Sequence, residues 1–366
     1  MSWIRVAWIN AVFIVILITL VELIFGGWFV YSNKSYCGYL LCSSNLEYQS
    51  KSGLKTHYTK DKFGLRNRDK ANSNIDILIV GGSTSDQRYV NNNKTWDHLL
   101  QEMFKRDGIN IDIVNAGIDG QSSVGHIWNF KEWFPSIPNF NPKYVLFYIG
   151  INDIPPTVNQ LSFDNVAQVN NWRYYVKTNS VLYKIYYKIK YTSNKVLNNV
   201  ALNANLTHDP SRFINLHYSD RFDYKKNNWE HYKEHLVENK LYANLHSLVS
   251  LTRELGAEPV FVTQKTARWV LKDDVIFGAS NNNIVENTNY YYKGSEFIMS
   301  NSDFGYAEKI VSDSIMKFCN SNKLYCINGF NKFEFNLDNT YDLLHTNEEG
   351  SKEIAKKLYA EIKKLF

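Results

Sequence analysis

The chain has 366 residues, enough for one large α/β domain with extensions. Its formal charge of +5 is mild and its lysines are scattered, with no basic block interleaved with aromatics, so nothing supports nucleic-acid binding. No repeat at solenoid periods is evident, and the 25 tyrosines and 21 phenylalanines serve either core packing or contact with a polar ligand such as a sugar.

Ile4 to Tyr31 is almost wholly apolar and exceeds the roughly 20 residues that span a bilayer. Trp8, Trp28 and Tyr31 lie near its ends, where aromatics suit the interfaces. Bulky Trp28, Phe29 and Tyr31 stand where a cleavage site needs small residues, so residues 1–32 are read as an uncleaved anchor rather than a signal peptide. Glu22 inside the run either contacts another membrane protein or sits toward one end, reaching polar headgroups. Arg5 lies on one side, with Lys34, Lys51 and Lys55 on the other, so the basic count does not favour export. The short N-terminal tail still makes N-in, C-out the usual arrangement, with the following domain extracytoplasmic. The four cysteines form two close pairs, Cys37 with Cys42 and Cys319 with Cys326. Pairing within each gives two small loops suited to an oxidising compartment, although other connectivities and free thiols stay open.

Residues 33–74 are polar and read as a linker or an ordered extension. From 75 to 366 short apolar runs alternate with helical patterns. The runs are Ile75–Val80, Ile111–Asn115, Tyr144–Ile149, Pro259–Thr263 and, more weakly, Leu324–Ile327. Trp96, Leu99, Leu100, Met103 and Phe104 repeat at helical spacing, with Thr95 as cap and Gly108 as stop. Residues 230–256 carry a second helical pattern, stopped at Gly256, and Ile354, Leu358, Ile362 and Leu365 share one face of a third. This alternation predicts a doubly wound α/β domain, a flavodoxin-like three-layer sandwich around a central parallel sheet. The aromatic, polar stretch at about 155–228 breaks the rhythm and is read as an insertion over the mouth of the site, with 265–305 as a second excursion.

Ligands of open α/β sheets bind beyond the carboxyl ends of the strands. The first run ends in Gly81-Gly82-Ser83, a tight turn with a serine at its tip. No P-loop lysine follows, and the Gly-x-Ser-x-Gly elbow is absent. The second ends in Asn115-Ala-Gly-Ile-Asp-Gly120, where a glycine N–H can approach a ligand closely. The third ends in Gly150-Ile-Asn152-Asp153, whose Asn amide is a neutral donor suited to a growing oxyanion. Near the C-terminus, Asp342-Leu-Leu-His345 precedes Thr346-Asn-Glu-Glu349, which matches a capping box, so Thr346 is expected to start the last helix. Asp342 can then approach one imidazole nitrogen of His345 and leave the other for a serine. Gln264 after the fourth run and Arg88 after the serine turn are candidate substrate contacts. Ser85 and Ser122 are read as hydrogen-bonding loop serines, and His98 and His126 as structural. No metal-like CxxC spacing is present.

Gly82-Ser83, Gly120, Gly150-x-Asn152-Asp153 and Asp342-x-x-His345 together resemble the four blocks of SGNH (GDSL-like) hydrolases, in the same order across 75–366. Gly82 departs from the Asp of the GDSL form, and Gly117 is an alternative to Gly120 in the second block. Gly-Gly-Ser and Phe63-Gly-Leu-Arg66 are similar to membrane-anchored bacterial members. The resemblance implies a Ser83–His345–Asp342 triad and an oxyanion hole from Ser83 N–H, Gly120 N–H and the Asn152 side chain. It implies no metal and no cofactor. The expected reaction is acyl-ester hydrolysis, with an O-acetylated envelope or secreted glycan as substrate. The alternatives are an O-acyltransferase, with a membrane acyltransferase as candidate partner, and a non-catalytic glycan-binding or assembly protein.

Overall fold

The computed structural model describes residues 3–26, 28, 40, 42–49, 55–66, 74–154, 164, 180–183, 185–186, 216–223, 227–280, 288–292 and 295–366; for 49, 74, 235, 236, 288–292 and 295–298 only the backbone is described. Most of the stretch at 155–228 therefore lies outside the described residues.

All five apolar runs are strands of one parallel sheet. They are β3 (Asn74–Gly81), β4 (Ile113–Asn115), β5 (Asn141–Ile149), β7 (Glu258–Thr263) and β12 (Tyr325–Ile327). Their order across the sheet is β12-β7-β5-β3-β4, with every pairing parallel. Counting these five strands alone, that is the 2-1-3-4-5 flavodoxin-like order, whose direction reverses between β3 and β5.

Alternation along each strand feeds two separate cores. Ile77 and Ile79 of β3 pack with Leu146, Val260 and Val262 on one face. That face is covered by α3 (Trp96–Arg106) and α7 (Glu348–Ile362), through Trp96, Leu100, Phe104, Ile354 and Leu358. Leu78, Val80, Val145, Phe147 and Phe261 face the other way. They meet α4 (Ser123–Trp128), α5 (Tyr242–Glu254) and α6 (Asn301–Ser321) through Trp128, Leu245, Leu248, Ile315 and Phe318. Phe147 and Phe261 stack at 4.8 Å between ring centres across adjacent strands. Each face buries a continuous apolar layer, worth roughly 25 cal/mol per Å² of area removed from water. The result is a three-layer sandwich.

Among the described residues before the sheet, β1 (Asn45–Gln49) and β2 (Lys55–Thr59) pair antiparallel, and Tyr58 of β2 is fully buried, as are Leu65 and Arg66 after it. Within 265–305, β8 (Trp269–Lys272) and β9 (Val275–Ser280) form a hairpin that β6 (His217–Arg221) joins as a third antiparallel strand; β10 (Thr288–Tyr292) pairs with β11 (Ser295–Met299). A disulfide joins Cys319 at the end of α6 to Cys326 in β12. Cys42 is also disulfide-bonded. Helix α1 (Trp3–Phe25) is long and apolar enough to cross a membrane, and none of its residues is buried.

Two caps differ from the sequence expectation. The last helix begins at Glu348, not Thr346, because the Asn347 side chain accepts from the N–H groups of Glu349 and Gly350. Thr346 instead bridges to Thr340 in extended conformation. Thr95 occupies the N-cap of α3, but its hydroxyl donates back to Asn92 O, and Gln87 Oε1 takes the Trp96 N–H.

Candidate active site

β3 ends at Gly81, and the chain turns through Gly82 into a single helical turn, α2 (Ser83–Asp86). Ser83 stands first on that turn, with Gly82 as its N-cap. A side chain at position 82 would place its Cβ 2.3 Å from Asn152 Nδ2 and 3.1 Å from Gln121 O. Glycine here lets the Asn152 amide lie directly against the backbone before the serine, and a larger residue would have to displace it.

Asp342, His345 and Ser83 form one hydrogen-bonded line. His345 Nε2 lies 2.7 Å from Ser83 Oγ, and His345 Nδ1 lies 2.7 Å from Asp342 Oδ2. The other carboxylate oxygen of Asp342 accepts from the N–H groups of His345 (2.7 Å) and Leu344 (3.1 Å). Leu343 takes a positive φ of 64° to allow this closure, and its carbonyl accepts from Ala267 N–H. Two residues 262 apart in sequence thus meet because the β3 turn and the loop before α7 lie at the same edge of the sheet. Asp342 and His345 are both buried, while Ser83 is partly open to solvent.

The Asn152 amide lies against the serine turn. Asn152 follows β5, on the other side of the point where strand order reverses, and its Nδ2 donates to Gln121 O at 2.8 Å. Gly120, at φ 74°, lies in the loop after β4. The N–H groups of Ser83 and Gly120 engage no acceptor among the described residues. The alternative, Gly117, is committed elsewhere: its N–H donates to Asn115 Oδ1 and its carbonyl accepts from Lys60 Nζ.

Gln264 has a different task from the one expected. Its Oε1 accepts from Ile151 N–H at 2.8 Å and its Nε2 donates to Thr84 Oγ1 at 2.6 Å, so it ties the Asn152 turn to the serine turn from behind. Arg88 is drawn to carboxylates, at 3.6 Å from Asp86 and 3.5 Å from Asp119. Ser122 caps α4 and bonds Asp164, as a loop serine should, whereas Ser85 Oγ is buried with no hydrogen-bond partner among the described residues. His126 is fully buried beside Gln121, and burial pushes its imidazole down to about 3, so it stays neutral.

Several supporting residues went unnoticed in the sequence. Gln87 donates to Thr346 Oγ1 (3.0 Å) and Ser351 Oγ (2.7 Å), linking the serine turn to the residue after His345. Tyr341 stacks on the His345 ring at 5.6 Å and 8°. The extension supplies a charged clamp. Tyr58 donates to Asp86 Oδ1 at 2.7 Å, Lys60 lies 3.3 Å from that oxygen, and the buried Arg66 guanidinium donates to the carbonyls of Asp86, Gln87 and Val90. Burial alone would raise the Asp86 carboxyl, but the Lys60, Arg88 and Arg66 charges and the Tyr58 hydroxyl hold it below its usual range. The only sequence signal for this clamp was Arg66 within Phe63-Gly-Leu-Arg66.

Among the described residues no group of acidic, histidine or cysteine side chains has the arrangement of a metal site. In this arrangement His345 Nε2 can accept the proton of Ser83 Oγ, the Asp342 carboxylate can hold the resulting imidazolium, and N–H groups can donate to an oxygen bound beside the serine.

Residues 77–177 match the family model of the GDSL-like lipase/acylhydrolases. That stretch belongs to the GDSL-like lipase/acylhydrolase family. The GDSL-like domain is a hydrolase acting on ester bonds, as the family description and the serine–histidine–aspartate line agree. Solved structures give distant likenesses. They include TesA (13% identity, TM-score 0.41, covering 80% of this chain and 99% of that one). A psychrotrophic esterase, EstA, from Pseudoalteromonas sp. matches at 14% identity and TM-score 0.40, over 80% of this chain and 98% of its own. An acetyl xylan esterase, AlAXEase, matches at 14% and 0.39, over 78% and 98%. No curated protein matches the sequence.

Behind the Asn152 turn, Glu308 of α6 is fully buried, with Trp269 Nε1 and Thr266 Oγ1 donating to its Oε2 at 2.7 and 3.0 Å. Burial pushes this carboxyl up to about 7, against the partial offset of those two bonds and of Lys265 and Arg268. The folded domain therefore holds this proton at pH values where the unfolded chain has released it. Its stabilising contribution is complete below the ordinary value of 4.5 and is lost as pH rises through about 7. The shift corresponds to about 3 kcal/mol over that window. Urea unfolding of Glu308→Gln at pH 4.5 and 7.5 is expected to show a weaker fall in stability with pH than the unaltered chain. An identical fall in both would contradict this assignment.

Proposed function

We propose that the chain is a membrane-anchored serine esterase that removes small acyl groups, O-acetyl foremost, from an envelope or secreted glycan. The observation that carries the catalytic part is the 2.7 Å approach of His345 Nε2 to Ser83 Oγ, with Asp342 on the opposite ring nitrogen. In this reading His345 takes the Ser83 proton as Oγ attacks the ester carbonyl. The carbonyl oxygen gains negative charge and is met by the N–H groups of Ser83 and Gly120 and the Asn152 amide. The imidazolium, held by Asp342, passes its proton to the departing alcohol, leaving an acyl-serine. A water then loses a proton to His345, attacks the acyl carbon and releases the acid, and the proton returns to Ser83 Oγ.

Asn152→Ala is expected to lower kcat about 10²- to 10³-fold with little change in KM, since the amide acts on charge that grows in the transition state. A rise in KM at unchanged kcat would assign Asn152 to ground-state binding instead.

The Cys319–Cys326 disulfide and the apolar helix α1 support an anchored domain on an oxidising side of the membrane. The glycan preference rests on that location. The same triad can hand its acyl group to a sugar hydroxyl, which would make the chain an O-acyltransferase. Incubating it with an acetylated glycan, with and without a second, unacetylated glycan, separates the two. Hydrolysis predicts free acetate that is insensitive to the second glycan. Acetate appearing on the added glycan instead would overturn it in favour of transfer.

A further inference from the structure

Glu22 is the one carboxylate inside helix α1, and a charged group there needs partners. It has four. Ser180 Oγ and Leu182 N–H donate to its Oε1 at 2.6 and 3.0 Å, and Val181 N–H and Trp28 Nε1 donate to its Oε2 at 3.1 and 2.9 Å. Three of these come from the start of a short helical segment about 160 residues further along the chain. The segment is thus fastened to the C-terminal end of α1, where Val21 and Glu22 are the first partly covered residues of an otherwise exposed rod.

What the segment presents is apolar. Leu182, Ile185 and Tyr186 are 39%, 48% and 57% exposed. Apart from α1 itself, few large hydrophobic side chains among the described residues are as open. The sequence Ser180-Val-Leu-Tyr-Lys-Ile-Tyr-Tyr-Lys-Ile-Lys190 mixes apolar and aromatic residues with three lysines and no acid. That is the composition of a stretch that lies in a lipid interface, with apolar and aromatic groups at the acyl boundary and lysines toward anionic headgroups.

We propose that residues 180–183, 185 and 186 are a second membrane contact, held by Glu22 against the lipid surface that α1 enters. The occupant of this surface is the bilayer itself, because the segment is continuous with the anchor through three hydrogen bonds to Glu22. This rests on the anchor reading of α1. Glu22 then needs no second membrane protein as partner. Its carboxylate sits where the helix leaves the apolar layer, and it sets the catalytic domain at a fixed height and tilt over the membrane, so that esters close to the lipid surface are the ones presented to Ser83.

The test uses the full chain in vesicles of phosphatidylcholine and phosphatidylglycerol. Cys42, Cys319 and Cys326 are disulfide-bonded and no free cysteine is found among the described residues, so an introduced cysteine can be labelled selectively. Ile185→Cys and, separately, Ile14→Cys carry an environment-sensitive fluorophore, and lipids spin-labelled at shallow or deep positions quench it. At position 185 shallow quenching is expected, several-fold above that by water-soluble iodide. At position 14 deep quenching is expected. Adding Glu22→Ala should cut quenching at 185 several-fold and leave 14 unchanged. Deep quenching at 14 with none at 185 overturns the second contact while leaving the anchor. No quenching at 14 overturns the anchor, and the contact with it. Quenching at 185 that is unchanged by Glu22→Ala overturns the role given to Glu22.

Discussion

Ser83→Ala is expected to lower kcat for a simple ester such as p-nitrophenyl acetate by about 10⁴- to 10⁶-fold. The substitution removes one hydroxyl whose hydrogen bond is to His345 Nε2, at a position partly open to solvent. The turn that carries it is held by other atoms: Arg66 on the carbonyls of Asp86, Gln87 and Val90, Gln264 on Thr84, and the packing of Gly82 under Asn152. Stability should therefore move by less than about 0.5 kcal/mol, the usual range for a surface change away from caps and cores. Rate and fold are then cleanly separated. A variant that keeps a tenth of the activity would place the nucleophile elsewhere.

Asp342→Asn should cost about 10⁴-fold in kcat, by a different route. Asparagine keeps an oxygen that can accept from the N–H groups of His345 and Leu344, so the loop retains its shape. The amide nitrogen then faces His345 Nδ1. As a donor, it leaves Nδ1 without its proton and puts the ring hydrogen on Nε2, toward Ser83. A base in the wrong tautomer cannot take the serine proton. Because the three residues act as a unit, combining Asp342→Asn with Ser83→Ala should add little to the loss from Ser83→Ala alone. Pre-steady-state and steady-state kinetics of both variants check this; a fully additive loss would mean that Asp342 works independently of the serine.

The strands were legible because they are short apolar runs, most of them closed by a glycine within two or three residues, and a sheet buried on both faces demands such runs. Ser83, Asn152 and His345 were legible for a related reason. Each follows a strand or precedes a helix at the sheet edge where ligands bind, so their order in sequence mapped onto one place in space. The errors have local causes. Thr346 and Asn347 are adjacent cap-forming residues, and the choice between them was made by tertiary contacts: Thr346 is drawn into a bridge with Thr340 and a bond from Gln87. Gln264 sits after a strand, as a substrate contact would, but its amide is spent on Ile151 and Thr84. The clamp of Tyr58, Lys60 and Arg66 on the serine turn was invisible, because its members are scattered polar residues whose meaning appears only when β2 and the residues after it fold back over β4. Tyr341 looked like any tyrosine until its ring was found parallel to His345.

The clamp also changes how the extension is understood. Residues 55–66 do not merely lead from helix α1 to the sheet. They bury a lysine, an arginine and a tyrosine hydroxyl around Asp86, three residues after Ser83, so the position of the serine depends on chain that precedes the domain's first central strand. Breaking such a buried ionic group by removing one partner typically costs several kcal/mol, about 3–5.

The most direct test of the central claim is labelling of the full chain with a fluorophosphonate probe, followed by mass spectrometry of the modified peptide. The expected result is one adduct, on Ser83, lost in Ser83→Ala and strongly slowed in Asp342→Asn. An unlabelled chain that still hydrolyses esters, or equal labelling of Ser83→Ala, would contradict a Ser83 nucleophile.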